Sequence, residues 1–423
     1  MSQPIRILLA LVIGLAVGIV AAAAAPEAAL RWTGLAEPIG TAWLNGLRMT
    51  IVPLVVGLLV TGIAQTAESA RAGKLATRSI LFFVAVLWTS SILAAILTPL
   101  FLDLWPLNPQ AAAALRSSFS SASPAGPVPS IADFFTSLIP VNPLAAAAND
   151  AFLPLIVFTT VFGFAVTRLP AAQREVLTSF FRALADAMLI VIGWVLWLAP
   201  LGVFALAYVV GARAGTSAFG LLVHYVLIVA GVGAVVWGLA YPLAVFGGRV
   251  PLRRFMSATT SAQAVAISTQ SSLASLPAML RGCERLDVPV ATSGVVLPLA
   301  VALFRATGPA MNLAVAIYVA HIFGMHLGPA QMAAGIAAGA ITTMGAVSLP
   351  GSISYVSSIA PIAIAMGVPI EPLALLVAVE TLPDIVRTLG NVTMDVAVTA
   401  TIAERSGVRG ERSEADDLLE AEG

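Results

Sequence analysis

The chain has 423 residues, 59% of them hydrophobic and only 10% charged, with a mean hydropathy of +0.98, whereas a soluble domain carries about 25% charged residues. Twenty-one basic residues balance 21 acidic ones, so no net field recruits nucleic acid or an acidic partner. Water is therefore not the main solvent: a hydrocarbon core of about 30 Å needs about 20 apolar residues per helix, and runs of that size recur from Ile7 almost to Ala403.

The first run, Ile7 to Ala25, follows Arg6 and ends in Ala-rich sequence, as a cleavable signal does. At about 19 apolar residues it is long for one, and further spans follow, so it reads as a retained span. Breakers between runs place six ordinary helices near residues 5–25, 40–66, 77–102, 148–169, 177–212 and 217–247. Between the third and fourth lies a Ser/Pro/Ala stretch, Ser117 to Pro129, expected to be a flexible surface insertion.

Beyond residue 250 the pattern changes. Phe255 to Arg285, centred on Ser271-Ser272-Leu273-Ala274-Ser275-Leu276-Pro277, and Pro329 to Met366, centred on Ser348-Leu349-Pro350-Gly351-Ser352, are too rich in Ser, Thr, Gly and Pro for simple spans. Irregular backbone at membrane depth is tolerated only where protein or a water-filled cavity surrounds it, so these read as re-entrant helical hairpins flanking a site. A pair of kinked ordinary helices is the alternative. Two more long apolar spans give an all-α polytopic membrane protein of about eight transmembrane helices plus two hairpins. The acidic end, Glu411 to Gly423, reads as a disordered cytoplasmic tail.

Lys and Arg set the orientation. Arg6, then Arg71, Lys74 and Arg78, then Arg168, Arg174 and Arg182, then Arg249, Arg253 and Arg254, and finally Arg405, Arg409 and Arg412 fall on one side of an alternating path. That side is expected to be cytoplasmic, with both termini on it. Arg281 and Arg285 join it only if the first hairpin re-enters.

After loops and tails are set aside, Arg48, Arg305, Arg387, Asp186, Glu380, Asp384 and Asp395 remain at membrane depth. Such groups cost about 3 kcal/mol each at a helix centre and mark a solute path or proton relay. Glu380, Asp384, Arg387 and Asp395 share the last helix with Asn391, and at 100° per residue the five directions fall within about 80°. This polar stripe is either a structural ion-pair ladder or, beside Ser/Gly/Pro-rich hairpins whose N–H groups can approach an anion, a site for a carboxylate-bearing solute. The lone Cys283 and the scattered His224, His321 and His326 form no metal-ligand pattern and read as structural. An intramembrane protease would have only Asp186 with Asp384 as a candidate pair.

Arg48-Met49-Thr50-Ile51-Val52-Pro53-Leu54-Val55, Asn142-Pro143 through Asn149, Ala199 to Phe204, Ser271 to Pro277 and above all Asp384-Ile385-Val386-Arg387-Thr388-Leu389-Gly390-Asn391-Val392-Thr393-Met394-Asp395 carry a resemblance over nearly the whole chain. It is to the dicarboxylate/amino-acid:cation symporter family, which includes glutamate and aspartate transporters. The resemblance implies a glutamate-transporter-like elevator fold in a homotrimer, in the cell membrane. Residues 1–72 would be scaffold spans 1 and 2, 73–102 span 3 of the transport domain, 103–216 scaffold spans 4 and 5 with an extracellular loop, 217–404 the rest of the transport domain (span 6, hairpin 1, span 7, hairpin 2 and span 8), and 405–423 a cytoplasmic tail. No cofactor is implied, only a coupling cation, sodium or proton.

By position, the resemblance implies that Arg387 binds the distal carboxylate of the solute, Asp384 its ammonium group, and Thr388 and Asn391 hydrogen-bond it. Ser271, Ser272 and the backbone at Pro350 and Gly351 would close over the α-carboxylate. Asn391 and Asp395 would also lie near a sodium site. An acid at position 384 favours an amino acid over a plain C4-dicarboxylate, and an anion-conducting or exchange-only relative is a further alternative.

The chain departs from the family in span 7, where Phe304-Arg305-Ala306-Thr307-Gly308 replaces the usual sodium-coordinating Asn-Met-Asp-Gly-Thr, and Asn312 lies about 12 Å further along a helix. Span 3 has Phe82-Phe83 where relatives often have tyrosines. Sodium coupling is expected to be weakened, with Arg305 either supplying fixed positive charge near the former cation site or pairing with an acid such as Glu380. A proton on Glu380, Asp384 or Asp395 would then couple transport.

Overall fold

Prolines decide where the apolar runs break. The computed structural model describes residues 3–71, 73–107, 112–113, 116, 136, 139–149, 151–215, 217–345 and 351–406, and all regular structure among them is helical. After α1 (Gln3–Ala24), the run expected over 40–66 is two helices, α2 (Pro26–Arg48) and α3 (Ile51–Arg71). The ring of Pro53 clashes with a helical carbonyl four residues back, at Met49, so the helix restarts there. Helix α4 (Lys74–Leu104) follows, then the short α5 (Pro143–Ala148), capped by Asn142 Oδ1 accepting from the Leu144 and Ala145 N–H groups at 2.9 and 3.1 Å, and α6 (Phe152–Thr167). The run expected over 177–212 is also two helices, α7 (Ala171–Trp197) and α8 (Ala199–Ala214), broken beside Pro200. Helix α9 (Ser217–Gly238) continues through short turns to Gly247.

The first odd stretch is a hairpin of α10 (Leu252–Thr269) and α11 (Ser272–Arg285), turned by Gln270 in the left-handed conformation, φ +50°. Its base is closed by an ion pair of 2.7 Å between Arg254 and Asp287, so the chain enters and leaves on one side, as a re-entrant segment does. Two helices follow, α12 (Val290–Leu303) and α13 (Gly308–Ile322), then the second hairpin, α14 (Pro329–Gly345) and α15 (Gly351–Ala365), with Gln331 Nε2 donating to Met366 O at 3.1 Å across its base. The last helix is α16 (Thr381–Arg405). The centre of the second hairpin at Pro350, the Ser117–Pro129 stretch and the Glu411–Gly423 tail lie outside the described residues.

Contacts order the first hairpin along α16. Arg249 pairs with Glu404 at 3.4 Å, Gln263 Nε2 donates to Thr393 Oγ1 at 3.0 Å, and Gln270 Nε2 donates to Thr381 O at 3.5 Å. Numbers rise on one element as they fall on the other, so α10 runs antiparallel to α16 and the hairpin tip stands at the start of the last helix. Helix α13 is buried on every side except at His321, the pattern of a helix in the middle of a bundle. Six helical stretches among the described residues are long and apolar enough to cross a membrane, and Pro154–Thr167, Ala199–Arg213 and Tyr355–Ala365 are shorter apolar helices.

Away from that centre, α1, α2 and α8 pack as a group. Gly14 and Gly18 face α8 at the small-xxx-small spacing that lets membrane helices approach closely. A Cβ on Gly18 would stand 2.4 Å from Tyr208 O, and one on Gly211 would stand 2.5 Å from Leu15 O. Gly18→Leu is therefore expected to destabilise the protein by about 1–3 kcal/mol, read as a lower unfolding midpoint in detergent, whereas Gly34→Leu, with nothing within 4 Å, leaves the midpoint unchanged.

Candidate functional site

The site forms where α16 crosses the interruption between α12 and α13. Pro309 in the first turn of α13 disfavours helix at Arg305 four residues back, and residues 304–307 are unwound. Their polar groups are taken up nearby: Asn391 Oδ1 accepts from Thr307 N at 3.0 Å and lies 2.8 Å from Thr307 Oγ1, and Ser90 Oγ donates to Ala306 O. The Thr307 hydroxyl also stands 2.9 Å from Arg387 O. Gly390 makes this crossing possible, because a Cβ there would lie 2.3 Å from the Thr307 methyl.

Arg387 is the hub. Its Nη1 bonds Glu380 and, at 3.1 Å, Asp384 Oδ1, and its Nη2 donates to Asn312 Oδ1 at 3.4 Å. Its Nε is buried with no hydrogen-bond partner. Glu380 Oε2 accepts from the Tyr225 hydroxyl at 3.5 Å, and that hydroxyl lies 2.8 Å from the hydroxyl of Tyr355 on the second hairpin. Thr388 Oγ1 donates back to Asp384 O at 2.9 Å, so its proton is spent within the helix. Further along the stripe, Asp395 is 0% exposed and neither carboxylate oxygen has a hydrogen-bond partner.

Arg305 is half-buried in the unwound segment, within electrostatic reach of Arg387, Asp384 and Asp395. Glu380 is engaged by Arg387. The ring of Phe304 stacks on Phe83 with centroids 4.7 Å apart. Phe304 and Phe83, both expected from the resemblance to depart from the family pattern, thus contact one another.

The structure brings Glu380, Asp384, Arg387, Thr388, Asn391, Asp395 and Arg305 into one buried neighbourhood. Ser271 and Ser272 stand at the hairpin tip just past Gln270, whose Nε2 donates to Thr381 O, but the Ser271 hydroxyl caps α11 by accepting from Ala274 N at 3.3 Å. Gly351 opens α15 and Pro350 precedes the described residues. Sequence reasoning missed Asn312, Thr307, Tyr225 and Tyr355. Asn312, considered only as a substitute cation ligand, instead accepts from Arg387 Nη2. The tyrosines lie in apolar runs, 130 residues apart, and no local pattern joins them.

Two arginines face three carboxyl groups here, so the formal count is one negative charge before any solute arrives. An arginine with unfilled donor capacity can take a carboxylate. The excess negative charge calls for a proton or another cation in the same low-dielectric space.

The chain matches the family model described as the sodium:dicarboxylate symporter family over residues 4–405. It is 29% identical over 380 residues to the proton/glutamate-aspartate symporter of Escherichia coli (strain K12), an alignment covering 88% of this chain and 85% of that protein. It is 26% identical over 369 residues to the proton/sodium-glutamate symport protein of Bacillus caldotenax, covering 84% of each, and 26% identical over 410 residues to C4-dicarboxylate transport protein 1 of Pseudomonas aeruginosa (strain UCBPP-PA14), covering 94% and 87%. With the family model spanning almost its whole length and apolar helices enough for several crossings, the chain belongs to the sodium:dicarboxylate symporter family, multi-pass membrane transporters rather than enzymes.

Proposed function

We propose that the protein is a secondary active transporter that carries an acidic amino acid such as aspartate or glutamate together with a cation. The observation that carries this reading is the charge count around Arg387: the cluster is already acidic, so an anionic solute enters only with compensating positive charge. Arg387 takes the distal carboxylate by loosening its hold on Glu380, and Asp384, released in turn, takes the ammonium group. A C4-dicarboxylate has no ammonium to offer Asp384 and so fits less well.

The proton is the coupling ion this site favours. Asn391 Oδ1 already accepts from the Thr307 amide and faces the Thr307 hydroxyl, which leaves it a poor sodium ligand. The Phe83–Phe304 stack occupies positions where the family resemblance expects polar groups, and Arg305 lends fixed positive charge to Asp384 and Asp395. Protonation of Glu380, Asp384 or Asp395 supplies the balancing charge.

The expected arrangement is a homotrimer with about eight spans, in which α1–α3 and α6–α8 form a scaffold and α4, α9, both hairpins, α12, α13 and α16 move as an elevator. Arg48 at the α2–α3 break pairs with Glu371, ahead of the last helix, at 3.2 Å. In this reading the pair joins fixed to moving parts and must break in each cycle.

Labelled aspartate uptake into proteoliposomes, driven by an imposed proton or sodium gradient, tests the function. Concentrative uptake under the proton gradient is expected in sodium-free buffer at fixed external pH, and loss of transport there would sink the proton reading. Arg387→Ala is expected to abolish uptake. Succinate uptake without aspartate uptake would replace the amino acid by a dicarboxylate. For the Arg48–Glu371 pair, each single neutralisation is expected to change the turnover rate by about threefold, the scale of a partly exposed ion pair, and the double charge reversal should bring it back towards the original.

A further inference from the structure

Away from the stripe on α16, a cavity of about 410 Å³ separates α3 and α7 from the first hairpin. One wall carries Thr61 and Gln65 of α3 with Arg182 and Asp186 of α7; the other carries Leu273 and Leu276, just past the tip serines. The volume suits a small solute. Arg182 and Asp186 are both exposed, and neither makes an ion pair or side-chain hydrogen bond among the described residues. They stand four residues apart on one helix, hence on one face, yet leave each other unbonded. Unpaired charges on a spanning helix are tolerated where water reaches them, so the cavity is wet.

The two charges are of opposite sign and lie on one helix face, so together they offer a partner both to a carboxylate and to an ammonium group. We propose that this cavity is a second, vestibular binding station for the zwitterionic acidic solute, next to the first hairpin: Arg182 takes a carboxylate and Asp186 the ammonium. The proposal rests on the amino-acid reading of the central site and adds a filter to it, because a plain dicarboxylate meets repulsion from Asp186. The station is reached from the side of the membrane on which Arg182 lies, and the solute passes between it and the central site when the hairpin tip moves.

The only cysteine, Cys283, is buried, so a single introduced thiol reports on the cavity. Gln65→Cys protein in detergent is labelled with a charged thiol reagent, with and without aspartate. Labelling is expected to be fast, and slowed by aspartate about fivefold, the scale of contacts to exposed charges. Succinate is expected to protect less, and Arg182→Ala to remove the protection. Arg387→Ala, which disables the central site, should leave it intact. A thiol that does not react, protection absent in the intact cavity, or protection lost with Arg387→Ala each overturns the station. Absence of gradient-driven aspartate uptake by the intact protein, with protection present, would instead overturn the transport reading alone.

Discussion

The guanidinium of Arg387, held between Glu380 and Asp384, is the interaction around which the interior is arranged. A single buried charge in hydrocarbon is costly, and a paired one is tolerated only when its remaining donors are met. That requirement reaches several elements at once. Asn312 on α13 supplies one acceptor, Tyr225 on α9 steadies Glu380, and Tyr355 on the second hairpin steadies Tyr225. The same requirement is left partly unmet at Arg387 Nε and at both oxygens of Asp395. In the proposed reading, those gaps are the capacity left for a ligand to be exchanged.

The interruption between α12 and α13 serves the same end by different means. A continuous helix would bury its own amides and carbonyls and present only side chains to α16. Unwinding at residues 304–307 exposes backbone groups, which Asn391 and Ser90 then satisfy. The close crossing at Gly390 leaves no room for a side chain between the two strands of chain. Phe83 and Phe304 stack on one another beside the break.

Much of this was legible in the residues themselves. The polar stripe from Glu380 to Asp395 follows from helical periodicity, and both odd stretches are hairpins because their Ser/Gly/Pro composition suits chain that turns back within protein. The failures have physical causes. The spans over 40–66 and 177–212 were read as single helices because hydropathy does not register a proline that interrupts an apolar run without changing its polarity. Tyr225 and Tyr355 were invisible because a buried phenol looks like any core aromatic until its partner, far along the chain, is brought beside it. Arg48 stood out by its depth, but its partner Glu371 is 323 positions away and no local spacing announces it.

The phenol pair has one further consequence. Each hydroxyl owns a single proton, so the direction of the chain from Tyr355 through Tyr225 to Glu380 is set at its ends. With the carboxyl ionised, Tyr225 donates to it and Tyr355 must donate to Tyr225, which points the proton of the second hairpin inward. With the carboxyl carrying its own proton, both hydroxyls can turn the other way. The polarity of one hydrogen-bonded row thus differs between the two states of a buried acid, and its far end lies on a hairpin arm that has no charge of its own with which to sense the difference.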